Sequence, residues 1–340
     1  MNSSFFKFIK NSQFNLLIIF VLLLLISILL ASSIGSYNIT IFEYLGGDST
    51  EIQNRVFEQL RSPRVVLAGI VGASLGISGA SLQGLFRNPL ADPGLIGVSA
   101  GAALGAAIVI VLGSSIIPDE IFGPLILPLA AIMGAAMVIY LLYLFTKGFG
   151  YQGVTYMLLV GIAINALASV AIGVLTYISS DSELRGLTFW TMGSFGAANW
   201  TLVLPAMLII LVTIFFLIPF SRQLDLLQLG EPEAYRLGVD VKKLKFRVII
   251  SSAIVVGVSV SLSGMIGFVG LVIPHLIRLI GGVNHNYLLL ASAFFGASIM
   301  ITADLFARIL ISPAELPVGL LTSAIGAPFF LWLIFKIRKT

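Results

Sequence analysis

The 340-residue sequence has no cysteine, two histidines and little charge, with only 10% of its residues Asp, Glu, Lys or Arg. Without cysteine there is no disulfide framework, no thiolate metal site and no cysteine nucleophile. His275 and His285 form no HExxH zinc motif, and no GxxxxGK[ST] phosphate loop occurs. A soluble domain carries about 25% charged residues and needs polar surface to cover its core. The shortage of charge therefore excludes a cytosolic enzyme or a nucleic-acid-binding module. What fills the chain instead is apolar: 58% of residues are hydrophobic, and the mean hydropathy is +1.07. The net charge of +4 reads as the Lys and Arg that membrane proteins gather in cytoplasmic loops. The chain reads as one all-α polytopic membrane domain spanning 1–340.

Apolar runs predict about ten transmembrane helices, at 15–34, 64–84, 94–113, 123–146, 153–177, 200–219, 247–265, 268–282, 287–308 and 316–335. Each is near the roughly 20 residues that a crossing needs. Gly264, Gly267, Gly270 and Pro274 interrupt the seventh and eighth. The first run follows Lys7 and Lys10 and is too long for the core of a secretory signal, so it reads as a membrane helix. Loops 114–122 (Asp119, Glu120) and 178–199 (Asp181, Glu183, Arg185) read as outside. Lys147, the loop 220–247 with Arg222, Arg236, Lys242, Lys243, Lys245 and Arg247, and the tail with Lys336, Arg338 and Lys339 read as inside. Both termini are then cytoplasmic, which requires an even number of spans. Loop 35–63 breaks the rule. It lies outside by parity yet holds Arg55 and Arg61, with Arg64 at the helix entrance, beside Glu43, Asp48, Glu51 and Glu58. Exposed outer arginines are candidates for contact with a partner.

A repeat is visible. Gly72-Ala-Ser74-Leu-Gly-Ile-Ser78-Gly79 and Gly257-Val-Ser259-Val-Ser-Leu-Ser263-Gly264 both read GxSxxxSG, and Pro89 matches Pro274 at the same offset. The two helices run in opposite directions, so halves at about 61–177 and 247–335 form an inverted repeat, an architecture common in transporters. The small residues allow close helix packing, and the serine hydroxyls are expected to bond across helices.

No pair of acids occupies the middle of a span, where a proton-coupled transporter usually keeps one. Neither ATP hydrolysis nor a proton relay is visible, so the energy for transport must come from a partner. The cytoplasmic segment at about 220–245 contains Glu231-Pro232-Glu233, a good helix start, and Gly238, a good helix stop. The short helix between them, with Ala234, Tyr235 and Leu237, is either a solvated loop element or a docking helix that enters a partner's groove. Asp304 and Arg308 are spaced to pair along one helix, and Arg87-Asn88-Pro89-Leu90-Ala91-Asp92-Pro93 is a rigid turn. Phe189, Trp190 and Met192 form either an interfacial aromatic belt or the outer mouth of a path for a large apolar chelate.

These stretches together carry a resemblance. Leu60-Arg61-Ser-Pro63-Arg64, Ser78-Gly79 through Gln83 to Arg87-Asn88-Pro89-Leu90-Ala91-Asp-Pro93, Leu229-Gly230…Ala234…Leu237-Gly238-Val239, Ser263-Gly264…Pro274-His275…Arg278, Ala303-Asp304…Arg308 and Glu315-Leu316-Pro317-Val318-Gly319 resemble the permeases for iron–siderophore, haem and vitamin B12 uptake. The resemblance runs from about 55 to 335. It implies a homodimer or pseudo-dimer of ten-span permeases in the cytoplasmic (inner) membrane. Two ATP-binding-cassette subunits holding ATP and Mg bind below, and an extracytoplasmic substrate-binding protein docks above. The chain itself would bear no catalytic residue, metal or cofactor. By resemblance, Leu229, Gly230, Glu231, Glu233, Ala234, Leu237, Gly238 and Val239 couple to the ATPase, and Arg61, Arg64 and Arg308 meet acids of the binding protein. Gln83, Asn88, Phe189, Trp190 and Met192 are candidates for the path or its gate. The stretch Ser182–Ser194 looks most like the haem-importing branch, with siderophore next. The alternative is a stand-alone secondary transporter with inverted repeats.

Overall fold

The computed structural model describes residues 3–35, 41–47, 49–116, 123, 125–146 and 153–337. Asp48, Asp119, Glu120, Lys147, Arg338, Lys339 and the side chain of Lys336, used above to orient the chain, lie outside the described residues. Among the described residues the regular elements are helices and no strand occurs. In order they are α1 (Ser3–Ser33), α2 (Ile41–Gly46), α3 (Glu51–Arg55), a π-helical turn (Val56–Arg61) and α4 (Ser62–Phe86). A 3-10 turn (Pro93–Ile96) leads to α5 (Val98–Ile116), α6 (Ile126–Thr146), α7 (Gly153–Ile178), α8 (Asp181–Met192) and α9 (Trp200–Leu217). A second 3-10 turn (Ile218–Phe220) precedes α10 (Ser221–Leu227), α11 (Glu231–Arg236), α12 (Val241–Ser263), α13 (Val269–Gly281), α14 (His285–Ile309) and α15 (Val318–Ile337).

Seven helical stretches among the described residues are long and apolar enough to cross a membrane: Ser12–Ser33, Glu51–Phe86, Ile126–Phe145, Tyr156–Ile178, Trp200–Leu227, Val241–Ser263 and His285–Ile309. Val98–Gly113, Val269–Gly281 and Val318–Trp332 are apolar but shorter. Burial sorts centre from rim. The stretches carrying α4, α14 and α12 are 83%, 72% and 67% buried by the protein itself, whereas Ser12–Ser33 and Tyr156–Ile178 are only 17% and 22% buried. Helices apolar all round but barely covered by protein are covered by lipid.

The central pair, α4 and α14, touches through backbone. A Cβ on Gly72 would fall on the carbonyl oxygen of Gly296, and one on Gly296 would fall on that of Gly72. Glycine at both positions lets the two helices approach to direct backbone contact, which is where packing energy in lipid comes from. Another close approach joins α4 to α13. A Cβ on Gly79 would land on the Gly270 carbonyl, and that carbonyl is the one freed by the missing N–H of Pro274 four residues on. Proline and glycine on different helices thus serve one contact. It also explains why Gly270 and Pro274, expected from sequence to interrupt the eighth apolar run, leave α13 unbroken. The break lies only at 264–268, where Gly264 (φ 69°) ends α12 and Phe268 (φ 67°) opens α13.

Two further expectations need correction. Among the described residues the serines of the repeat make no bond across helices, and the Ser78 hydroxyl is buried without a partner. Ser74 and Ser259 donate to the carbonyls of Ile70 and Val255, and Ser263 to that of Ser259, each four residues back in its own helix, a local bond always within reach of a helical hydroxyl. The stretch 178–199 is not a loop. It holds α8, whose start is a capping box: Ser180 accepts from the Glu183 backbone, and Glu183 Oε2 accepts from the Ser180 N–H at 2.8 Å.

The α4–α14 contact generates a paired prediction. G72V forces a branched side chain into the Gly296 backbone and should remove the monodisperse folded species in size-exclusion chromatography. G173A, at a position where a Cβ meets nothing within 4 Å, should leave the elution unchanged and raise stability by roughly 0.5–1 kcal/mol.

Candidate functional site at the two ends of the bundle

The 25 residues of α4 span about 37 Å at 1.5 Å per residue. At its N-terminal end the three singled-out arginines converge. Arg64 Nε stands 3.0 Å from both carboxylate oxygens of Asp304, its Nη2 2.8 Å from Oδ1, and its Nη1 2.9 Å from both oxygens of Glu315. Arg308 Nε lies 3.3 Å from Asp304 Oδ2, so the expected pair along α14 forms. Its Nη2 donates to the Ala31 carbonyl at 3.0 Å. Arg61 Nη1 donates to the carbonyls of Ser32 and Ser33 at 3.1 Å each. The arginines therefore fasten α1, α4, α14 and the 310–317 turn to one another. Last-turn carbonyls of α1, which have no partner inside their helix, are capped by cations, the charge that the negative end of a helix dipole favours. Arg61 is buried, and the side chains of Arg64 and Asp304 are 11% and 2% exposed. Only Glu315, at 46%, opens widely to solvent.

At the other end of α4 lies the segment read from sequence as a partner contact. Gly230 (φ 107°) and Gly238 (φ 88°) occupy the left-handed region on either side of α11, so the expected helix start and stop are both present. Leu229, Tyr235 and Leu237 are exposed apolar groups, whereas Ala234 and Val239 are buried and anchor the segment. Glu231 Oε1 and Lys245 Nζ form a 2.8 Å pair with side chains 14% and 10% exposed, joining α11 to α12. Glu233 pairs with Arg236 in the open. Gln228 Nε2 donates to the Gly84 carbonyl at the end of α4, at 2.8 Å. An open groove of about 830 Å³ runs along Tyr235, Arg236, Val239, Asp240 and Lys242. Asp240 caps α12, and the Lys243 backbone N–H and ammonium hold its carboxyl below the usual range.

The path candidates separate. Phe189 and Trp190 line a mostly apolar cavity of about 550 Å³ shared with Ser194, Asn199 and Ser263; Met192 stands at the end of α8 outside its wall. Asn88 is exposed and its Oδ1 accepts from the Leu90 N–H, which shapes the turn after α4. Gln83 is buried and donates to the carbonyls of Ala91 and Leu271 at 3.3 and 3.2 Å, locking α4 to α13. Sequence reasoning missed Asp225, Glu315 as a partner of Arg64, and Lys245 as a buried partner. Their signals are tertiary and have no fixed spacing.

The FecCD transport family profile matches residues 19–336. The chain belongs to the FecCD transport family. It is 44% identical over 329 residues to the hemin transport system permease protein HmuU of Yersinia pestis, covering 96% of this chain and 97% of that one. It is 39% identical over 327 residues to the vitamin B12 import system permease protein BtuC of Vibrio parahaemolyticus serotype O3:K6, covering 96% and 95%. A solved structure described as an inward-facing conformation of a metal-chelate type ABC transporter superposes with a TM-score of 0.84 at 36% identity, covering 95% of this chain and 99% of that one. As FecCD members these relatives are transport subunits, and the arginine cluster and the α11 segment are two ends of one FecCD fold.

The arginine cluster should respond unevenly to neutralisation. D304N removes the buried acid that Arg64 and Arg308 share, leaving Arg64 only the half-exposed Glu315, and should cost about 3–5 kcal/mol, read as a large fall in the unfolding temperature of the detergent-solubilised protein. E315Q removes a partly solvated partner and should cost no more than about 1 kcal/mol.

Proposed function

We propose that the chain is the membrane-spanning permease subunit of an ATP-binding-cassette importer that passes an iron chelate from a substrate-binding protein into the cytoplasm. Haem is the favoured cargo and a siderophore the next. The observation that carries the reading is FecCD membership over nearly the whole chain together with the two-ended layout, in which an arginine cluster and a helix-borne apolar patch lie at opposite ends of α4. The hemin permease at 44% identity supports haem, and the vitamin B12 permease at 39% keeps the class at large metal chelates.

In this reading 1–340 is one permease domain in the cytoplasmic membrane with ten spans, both termini inside. The three shorter apolar helices α5, α13 and α15 complete the seven longer ones. The halves 61–177 and 247–335 are inverted repeats. The packing supports this: taken in chain order, α4, α5 and α6 correspond to α12, α13 and α14, and α4 packs on α14 as α12 packs on α6. Two copies form a homodimer, and two ATPase subunits, which hold the ATP and Mg, seat on Leu229, Tyr235 and Leu237 around α11. This chain contributes no cofactor. The binding protein docks at the opposite end, and an incoming carboxylate reaches Arg64 by displacing Glu315. Arg61 and Arg308 serve that surface by holding α1 and α14 beneath it. Phe189, Trp190 and Met192 flank the outer path and Asn88 its inner mouth. Gln83 enters the path only when α4 and α13 part. ATP-driven closure of the partner subunits shifts the dimer between states by binding one state better than the other.

Proteoliposomes holding this chain with its ATPase and binding protein should take up haem only with hydrolysable ATP. Uptake by this chain alone would overturn the reading. The docking role of Arg64 has its own check. E315Q frees Arg64 of its exposed competitor and should tighten binding-protein affinity a few-fold at low salt, the range of one exposed ion pair; E315K should weaken it.

A further inference from the structure

Two of the polar contacts that fasten α10 to the bundle meet on one acid that the reading above does not use. Asp225 Oδ1 receives the backbone N–H of His285 at 3.0 Å and the His285 Nδ1 at 2.6 Å. Oδ1 already accepts the backbone N–H, and when the carboxyl is ionised it accepts from Nδ1 as well. The imidazole is 3% exposed. Its Nε2 is buried with no hydrogen-bond partner among the described residues, because the ring backs onto Gly84, where a Cβ would strike it. One turn earlier on α10, the Ser221 hydroxyl bonds the Asn286 side chain. Gln228, which leads directly into α11, bonds the Gly84 carbonyl. The base of the α11 unit is thus tied at once to the first turn of α14 and the last turn of α4.

An apolar side chain in place of His285 would fill the same space without leaving Nε2 unsatisfied, a cost that a buried polar atom normally carries. A hydrogen-bonded pair supplies something that apolar contact does not, namely direction. Apolar surfaces slide over one another, whereas two donors aimed at one oxygen hold α10 in a single register on α14. We propose that His285 and Asp225 are positioning residues that make α11, α10, α4 and α14 move as one body, so that displacement of α11 by the ATPase reaches the two central helices instead of being lost in the loop. The proposal rests on the importer reading above. It assigns the dyad a role in how ATP use is coupled to transport, separate from whether the complex assembles.

The test uses the complete complex in proteoliposomes and reads haem imported per ATP hydrolysed, with ATPase co-purification as the check on assembly. D225A and H285A should each raise ATP consumption per haem by about fivefold, a typical coupling between linked sites, while the ATPase still co-purifies. The double variant should be no worse than either single one, as expected when both remove the same contact. D225N and H285N, which keep an acceptor or a donor in the same place, should stay within about twofold of the unmodified complex. The cysteine-free chain allows a rescue that is independent of the dyad. In a D225A background, S221C with N286C should restore coupling when oxidised and lose it on reduction. Wild-type stoichiometry in the alanine variants would overturn the proposal. So would equal losses in the asparagine variants, or additive losses in the double variant. If the alanine variants do not assemble, D225S and H285S, whose side chains are too short to close the pair, take their place, and wild-type stoichiometry in them would overturn it as well. Absence of ATP-driven uptake by the unmodified complex would instead remove the importer reading.

Discussion

The backbone contact between α4 and α14 is the constraint on which the other features depend. Lipid gives two helices no hydrophobic reason to associate, so they are held by dispersion and directional bonds alone. A gap of about 0.5–1 Å already forfeits a quarter to a half of the dispersion, and Gly72 and Gly296 are what bring the two backbones together. With that pair closed, Arg64 reaches Asp304 at one end of the bundle, and the ring of His285 lies against Gly84 at the other. A slide of α4 along α14 would break both at once.

Each end combines a buried pair with an exposed one. Arg64–Asp304 and Lys245–Glu231 are withdrawn from water, while Glu315 and the Glu233–Arg236 pair face it. A buried ion pair adds little net stability, because desolvation offsets its attraction, but losing one member is severe. Such pairs hold a register. The exposed groups cost little to rearrange and are the ones available to a partner.

Much of this was legible in sequence for reasons that differ by element. The long apolar runs located α4, α6, α7, α9 and α14 to within a few residues, because lipid imposes a length and a composition on a crossing helix; α1 and α12 begin earlier than their apolar runs, by twelve and six residues, in polar first turns that hydropathy does not mark. Glu231-Pro232-Glu233 and Gly238 located α11 because helix ends have local chemistry. The capping box at Ser180 and Glu183 carried the same kind of signal for α8, masked by acidic residues that also suit an outer loop. Pro274 read as a break because its cost is local, while the Gly79 backbone that makes its free Gly270 carbonyl useful lies far away in sequence. The arginines read as surface groups because charge counts carry no direction. Only the fold turns Arg61 toward the carbonyls of α1 and joins Arg64 to an acid 240 residues away.

The capping of α1 has a consequence for how the molecule is put together. Arg61, Arg64 and Arg308 carry three positive charges, and Asp304 and Glu315 return two. Part of the remaining charge is offset by the C-terminus of α1, whose aligned peptides present about half a negative charge to Arg61 and Arg308. Apart from the Gln13 bond to Gly281 at its other end, α1 is mostly lipid-facing. One side of it packs on α14, where Phe20 meets Phe295, and its tip adds the arginine contacts. The arginine end closes only after α1 has been captured by the ninth apolar segment, a built-in check that the chain has been threaded to the end of α14.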